Sequence, residues 1–271
     1  MQISSSWPRS AAIGFGLVLA LSSPPVSADV WDNDPGNEDD GSSTDNEIFH
    51  GTVQVHDLAS QGGTIDEDWY VVFSRPFSSY EVMVDGLQGE VFGPGGNLPV
   101  DRVNVAGTVL TAGATPQDGV GAAQSVRWAN NAGAVMTDYV RVDGVNTSCG
   151  TACTTDTQYT IRMWETTASI PRFNNFGSQL TLMLLQNPTN YTISGTIYFW
   201  QGSTGTFLAS HPFSLDGKEL LLLNTNTVTP GSAGSMTIAH NGRFGDLQGK
   251  SVALEPSTGF SFDTPLLYRP H

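Results

Sequence analysis

The sequence predicts an all-β protein: two consecutive antiparallel β-sandwich domains behind a signal peptide and an acidic lead-in. Three observations predict it. Short segments of period-two alternation recur along the chain, 30 glycines and 15 prolines punctuate them, and charge is divided very unevenly between the two halves. Alternation puts every second side chain on one face of a pleated strand, and Gly, Pro, Asn and Thr between such segments supply tight turns. Several short strands at this spacing are the pattern of a sandwich.

The N-terminus reads as an export signal over residues 1–28. Met1 to Ser10 is polar with one positive charge, Arg9, and an uncharged apolar run follows from Ala11 to Leu21. That run is short of the roughly 20 residues a bilayer-crossing helix needs. Pro24 and Pro25 come next, then Val26-Ser27-Ala28, small residues of the kind a signal peptidase accepts. No later segment reaches transmembrane length, so the mature chain, beginning at Asp29, is expected to be secreted or periplasmic.

Residues 29–46 form an acidic linker. Asp29 to Glu47 holds eight acids and no base, a composition that stays solvated. Alternation then begins around Ile48, His50, Thr52 and Val55. It continues in Trp69–Phe73, Tyr80–Val84, Val103–Val105, Ser125–Trp128, Tyr139–Val142 and Tyr159–Trp164. These strands define a first domain over 47–168, with Glu81, Arg127, Arg141 and Arg162 as polar alternates expected to face solvent. The charge balance changes and a proline enters between Thr166 and Pro171, which marks the boundary. A second domain over 169–271 follows, with strands at Leu180–Leu185, Tyr191–Trp200, Thr206–Ala209, Glu219–Leu223, Gly234–Ala239, Lys250–Glu255 and Phe260–Asp263.

From Asp29 to Ala168 there are 21 acidic and 5 basic residues; from Ser169 to His271 there are 5 of each. A polyanionic first domain argues against nucleic acid and anionic membranes as partners, since phosphate binding relies on Lys and Arg. Divalent cations and basic partners remain. The only cysteines, Cys149 and Cys153, are close enough to form a disulfide in an oxidising compartment, pinning a local turn. A metal-binding or redox pair is the alternative reading of the same spacing.

The stretch Gly63-Thr64-Ile65-Asp66-Glu67-Asp68-Trp69-Tyr70-Val71-Val72-Phe73, behind an acidic lead-in and before Tyr80-Glu81-Val82-Met83-Val84, resembles the bacterial pre-peptidase C-terminal domain over residues 45–166. The resemblance implies a secreted β-sandwich that accompanies exported enzymes without being their catalytic part, in some relatives with calcium bound through the lead-in. The chain departs from that pattern in the Gly-rich insert around Gly93 to Gly121 and in the Cys149–Cys153 loop. Ile170 to Asn175, Leu184 to Pro188 and Ala253 to Phe260 together resemble a C-terminal module of exported bacterial proteins.

Catalytic signatures fail in turn. There is no G-x-S-x-G elbow, the five histidines never form H-E-x-x-H, and Gly93-Pro94-Gly95-Gly96 lacks the lysine of a phosphate-cradling loop. Carboxylates carry the only chemical content: Asp39 and Asp45 in the lead-in, with Asp66 and Asp68 before the next strand, are hard oxygen ligands that could hold Ca²⁺. The same acids also read as a solvated linker and a turn whose aspartates accept backbone hydrogen bonds. Trp69, Trp128, Trp164 and Trp200 read as core residues, or as a stacking platform for sugar rings should they share an exposed face.

These observations lead to two expectations. The first is a non-catalytic binding or structural protein acting outside the cytoplasmic membrane on an extracellular protein or polysaccharide. The second is a secreted hydrolase, or a subunit of one, with a calcium-stabilised first domain and reactive groups in an interdomain cleft near Arg172 and His211.

Overall fold

The computed structural model describes residues 39–60, 65–92, 98–114 and 123–270; the expected signal peptide, residues 29–38 of the acidic linker, and residues 93–97 and 115–121 of the Gly-rich insert lie outside them. The chain is all-β, with four antiparallel sheets forming two sandwiches in succession. The first contains β1 (Val53–Asp57), β2 (Asp68–Ser74), β3 (Ser78–Asp85), β4 (Val100–Val103), β5 (Val109–Ala112), β6 (Gln124–Asn130), β7 (Met136–Val142) and β8 (Gln158–Glu165). One sheet has the order β1-β8-β3-β6 and the other β2-β7-β4-β5. Alternation decides their faces: Tyr80, Val82 and Val84 of β3 and Tyr159, Ile161 and Met163 of β8 meet Tyr70, Val72, Val140 and Val142 from the facing sheet. Each large apolar side chain buried there contributes roughly 1.5–3 kcal/mol.

The second sandwich contains β9 (Ala168–Asn174), β10 (Leu180–Gln186), β11 (Ile193–Gln201), β12 (Phe207–Leu215), β13 (Leu220–Asn224), β14 (Ala233–His240), β15 (Gln248–Glu255), β16 (Phe260–Pro265) and β17 (Leu267–Tyr268). Its sheets run β12-β11-β14-β9-β17 and β13-β10-β15-β16, around a core of Ile170, Phe173, Met183, Leu185, Ile193, Ile197, Phe199, Met236 and Ile238. The segment read from sequence as a boundary is itself a strand, β9. Its proline is accommodated because the β9–β14 register slips between Gly234 and Met236, so that Pro171 sits at a bulge, where a residue without an N–H interrupts no ladder bond.

The two sandwiches are packed on each other through outward sheet faces, and this overturns one expectation. Glu81, expected in solvent, is 1% exposed. Its carboxylate lies 3.5 Å from Arg243 and accepts the Phe244 N–H at 3.0 Å, both on the loop after β14. Burial raises its pKa above the usual carboxylate value, and the Phe244 N–H and the Arg243 and Arg127 charges pull it back. Neighbouring outward residues of the same sheet do likewise. The His240 N–H donates to Ser79 Oγ at 3.1 Å, and Arg127 stacks over the Tyr191 ring with its guanidinium carbon 5.5 Å from the centroid. A polar residue at an alternate position had two possible environments, water or a second protein face, and the packing chose the second.

An aromatic wedge completes the joint. Phe77, at the β2–β3 turn, has φ of 56°, a left-handed conformation that costs a non-glycine residue about 1–2 kcal/mol. The turn projects its ring between Tyr198, Trp200 and Phe207 of the second sandwich, at centroid distances of 5.0, 5.3 and 5.6 Å. Aromatic contacts of this kind add about 0.5–1.5 kcal/mol each beyond area burial, enough to offset the turn's strain. Trp200 is therefore part of the interdomain joint.

His240 makes the joint pH-sensitive. It is 1% exposed, Nδ1 accepts the Gly242 N–H at 3.1 Å, and burial lowers its pKa to about 4, against a backbone hydrogen bond at Thr166 that raises it and with a smaller push from Arg127. A folded pKa below the unfolded one means that the unfolded chain takes up the proton first. The neutral-His contribution is thus complete above about pH 6.5 and is lost as pH falls toward 4, a loss of about 3 kcal/mol at the lower end. Urea unfolding at pH 7 and pH 4.5 is expected to show this loss, and His240→Asn should flatten the dependence between those two values.

Candidate metal centre

Asp68 opens β2 with its side chain turned inward, because it shares parity with Tyr70 and Val72. β8 places Tyr159 on the facing sheet, and the β1–β8 register sets His56 directly opposite Tyr159. The Tyr159 hydroxyl donates to the Asp68 carboxylate. With its proton so committed it must accept from Tyr70, whose hydroxyl is 2.6 Å away. The His56 ring stacks on Tyr159 and meets Tyr70 edge-on, at centroid distances of 5.8 and 5.1 Å. Burial, reinforced by the Asp68 charge, lifts the Tyr159 pKa well above that of a free phenol, so Tyr159 remains a neutral donor.

The lead-in supplies the third member. It runs along the free edge of β2: the Trp69 N–H donates to the Asp39 carbonyl at 2.7 Å, the Val71 N–H to Asn46 at 3.0 Å and the Ile48 N–H to Val71 at 3.1 Å. This pairing shields the edge of the sheet and carries the Asp39 side chain into the sandwich end. Asp39, His56 and Asp68 are 1%, 2% and 0% exposed, and one ligand atom from each lies within 4.8 Å of the other two. Asp39 Oδ2 and His56 Nδ1 are 3.9 Å apart, beyond hydrogen-bond length but a spacing two ligands can take around one ion. His56 Nε2 faces Gln54 Oε1 at 3.0 Å. Two carboxylates and an imidazole converging in one buried place are a donor set of the kind that binds divalent metal ions.

Of the four acids singled out in the sequence, the structure brings Asp39 and Asp68 together. Asp66 is buried nearby without joining the cluster, and Asp45 is exposed. Asp66 has its own constraint: a Cβ on Gly144 would lie 1.7 Å from the Asp66 carbonyl oxygen, so only glycine lets the exit of β7 pass the approach to β2. Glu67 reaches Arg141 at 3.6 Å, and Arg141 also holds Asp143 at 3.0 Å. His56 was not legible as a ligand, because it lies on another strand and in no spacing motif.

A second buried polar group closes the other end of the same core. Asp138 accepts from Arg102 at 2.6 Å, from Ser74 at 2.5 Å and from the Trp128 indole at 3.0 Å. Every partner is internal, so this group ties the two sheets together. Cys149 and Cys153 are disulfide-bonded, with Cα atoms 5.2 Å apart, and Cys153 packs into the first core. The bridge thereby anchors the loop before β8 to the sandwich.

Arg172 and His211 are not brought together: the recess that Arg172 lines is formed with Glu255, Phe260 and Phe262 of its own sandwich. Arg172 is on β9 and His211 on β12, with β14 and β11 between them, and Arg172 lies over the Phe262 ring of its own sandwich at 5.6 Å. Trp69 and Trp128 are buried, which removes them from any sugar-stacking platform. No family model matches the chain, and no curated protein matches it.

Tyr159→Phe is expected to leave both the Tyr70 hydroxyl and the Asp68 carboxylate short of a partner in a dry site. The cost should be about 1–3 kcal/mol, read as a lower urea midpoint with an unchanged slope.

Proposed function

We propose that the chain is a non-catalytic binding or structural protein acting outside the cytoplasmic membrane, with a first sandwich stabilised by a buried cation. One observation carries the reading: the sole cluster of metal-competent side chains among the described residues is closed off from solvent. Groups so enclosed can hold an ion and lend stability to the lead-in, but they cannot touch a substrate. A catalytic metal site, by contrast, keeps an open coordination position. Placement outside the membrane rests on the export-type sequence of residues 1–28.

The donor set bears on which cation. Two carboxylates and an imidazole supply three ligands, whereas Ca²⁺ takes six to eight oxygens. Imidazole suits Zn²⁺ and its neighbours, and carboxylate suits Mn²⁺ and Ca²⁺. The nitrogen therefore favours Zn²⁺ or Mn²⁺ over the Ca²⁺ that the acids alone suggest. By ordering the lead-in along β2, such an ion would couple metal occupancy to the closure of that sheet edge.

Thermal unfolding of chelator-stripped protein with added Zn²⁺, Mn²⁺ or Ca²⁺ tests the proposal. A cation bound only by the folded state at a hundred times its Kd stabilises by about 2.7 kcal/mol, so the midpoint should rise by several degrees. Asp39→Asn and His56→Gln should each abolish the rise. No shift with any of the three ions would overturn the cation reading, and hydrolytic turnover by the purified chain would overturn the non-catalytic one.

A further inference from the structure

We propose that the chain forms a two-fold dimer by pairing β16 with β16 of a second copy, independently of whether the first sandwich holds a cation. β16 is the terminal strand of its sheet, and among the described residues no strand lies beyond it. It is also unusually open. Ser261 and Asp263 are exposed, and Phe260 and Phe262 are 68% and 47% exposed, although an aromatic, β-prone edge strand is a template for pairing with another chain unless something blunts it. Two other edges are blunted: the lead-in covers β2, and Pro212 interrupts β12 midway.

The hydrogen-bond parity of β16 specifies the pairing. Leu266 N–H donates to the Gly249 carbonyl at 3.0 Å, and the register continues with Thr264 opposite Ser251 and Phe262 opposite Ala253. The even-numbered residues therefore bond to β15, and the backbone groups of Ser261 and Asp263 point out of the sheet. Pro265, next in that series, has no N–H to offer, so the outward donors are those of Ser261 and Asp263. An antiparallel two-fold centred on Phe262 matches them without remainder: Ser261 of each copy exchanges both backbone bonds with Asp263 of the other. Phe262 then faces Phe262 of the second copy in the close, non-hydrogen-bonded position, where side chains approach most nearly. The result joins two four-stranded sheets into one of eight strands.

Charge points to the same occupant. The chain carries a net charge of −15, yet residues 169–271 hold five acids and five bases, so two copies repel least when they meet through the second sandwich. Within β16 the single acid, Asp263, is already paired with Lys250 at 2.6 Å.

Sedimentation equilibrium of the full chain over a range of concentrations tests this. The mass is expected to move from monomer to dimer, and Ser261→Pro, which removes an outward N–H while leaving the β15 ladder intact, should raise the dimer Kd at least tenfold. Phe262→Cys should form a covalent dimer on mild oxidation, since the native cysteines are already paired, while Lys218→Cys should not. The covalent arm decides the matter should the proline variant fail to fold. A chain that stays monomeric throughout, or a dimer indifferent to Ser261→Pro with no Phe262→Cys cross-link, would overturn the proposal, the latter assigning association to another surface.

Discussion

The outward face of the β3–β6 sheet is the constraint on which the rest of the molecule depends. A sheet in a sandwich has one face committed to its own core; here the other face is committed as well. Glu81, Ser79 and Arg127 are held by Arg243, Phe244, His240 and Tyr191, and the chain passes from β8 to β9 through only Thr166 and Thr167. Thr166 is buried, its N–H donating to Ser79 and its hydroxyl to Ser79 Oγ. With so short a connection there is little slack for reorientation, and the strained Phe77 turn is tolerated because its ring is gripped from the other side.

The first sandwich solves a related difficulty internally. Its middle is aliphatic and aromatic, but buried acids stand at both ends of the core. At one end Asp138 is neutralised by Arg102 and hydrogen-bonded by Ser74 and Trp128. At the other, Asp68 accepts a hydrogen bond from the Tyr159 hydroxyl and faces Asp39 and His56. Removing one partner from a buried charge costs far more than the pair contributes, so the two ends are unequal. The Asp138 end is held by an arginine, a serine and an indole, whereas the other end gathers two carboxylates about a single imidazole.

Much of the fold was legible from residue patterning. Alternation in segments such as Tyr80–Val84 and Tyr159–Trp164 reports a pleated strand directly, and Asp39 and Asp68 stood out because acids cluster before β2. What was hidden has physical reasons. β9 was obscured by Pro171, since the bulge that accommodates it depends on a partner strand some 60 residues away. Glu81 looked solvated because local sequence cannot distinguish water from a second protein face. His56 joins the candidate centre only through the register of β1 against β8, a long-range pairing with no local signature. On the outer face of the second sandwich two leucines stand in water: Leu220 and Leu222 are more than half exposed, because the β10–β13 register places them beside Leu184 and Gln186 on the side facing away from the core.

The joint between the sandwiches also limits how this protein can change over evolutionary time. Domains that meet through a flexible linker can be shuffled, duplicated or fused to new neighbours as separate cassettes. Here a gene break between β8 and β9 would strand Glu81 without its arginine and leave Phe77 projecting into water. A separated half would therefore carry these uncovered groups as a stability cost that a domain on a flexible linker does not bear.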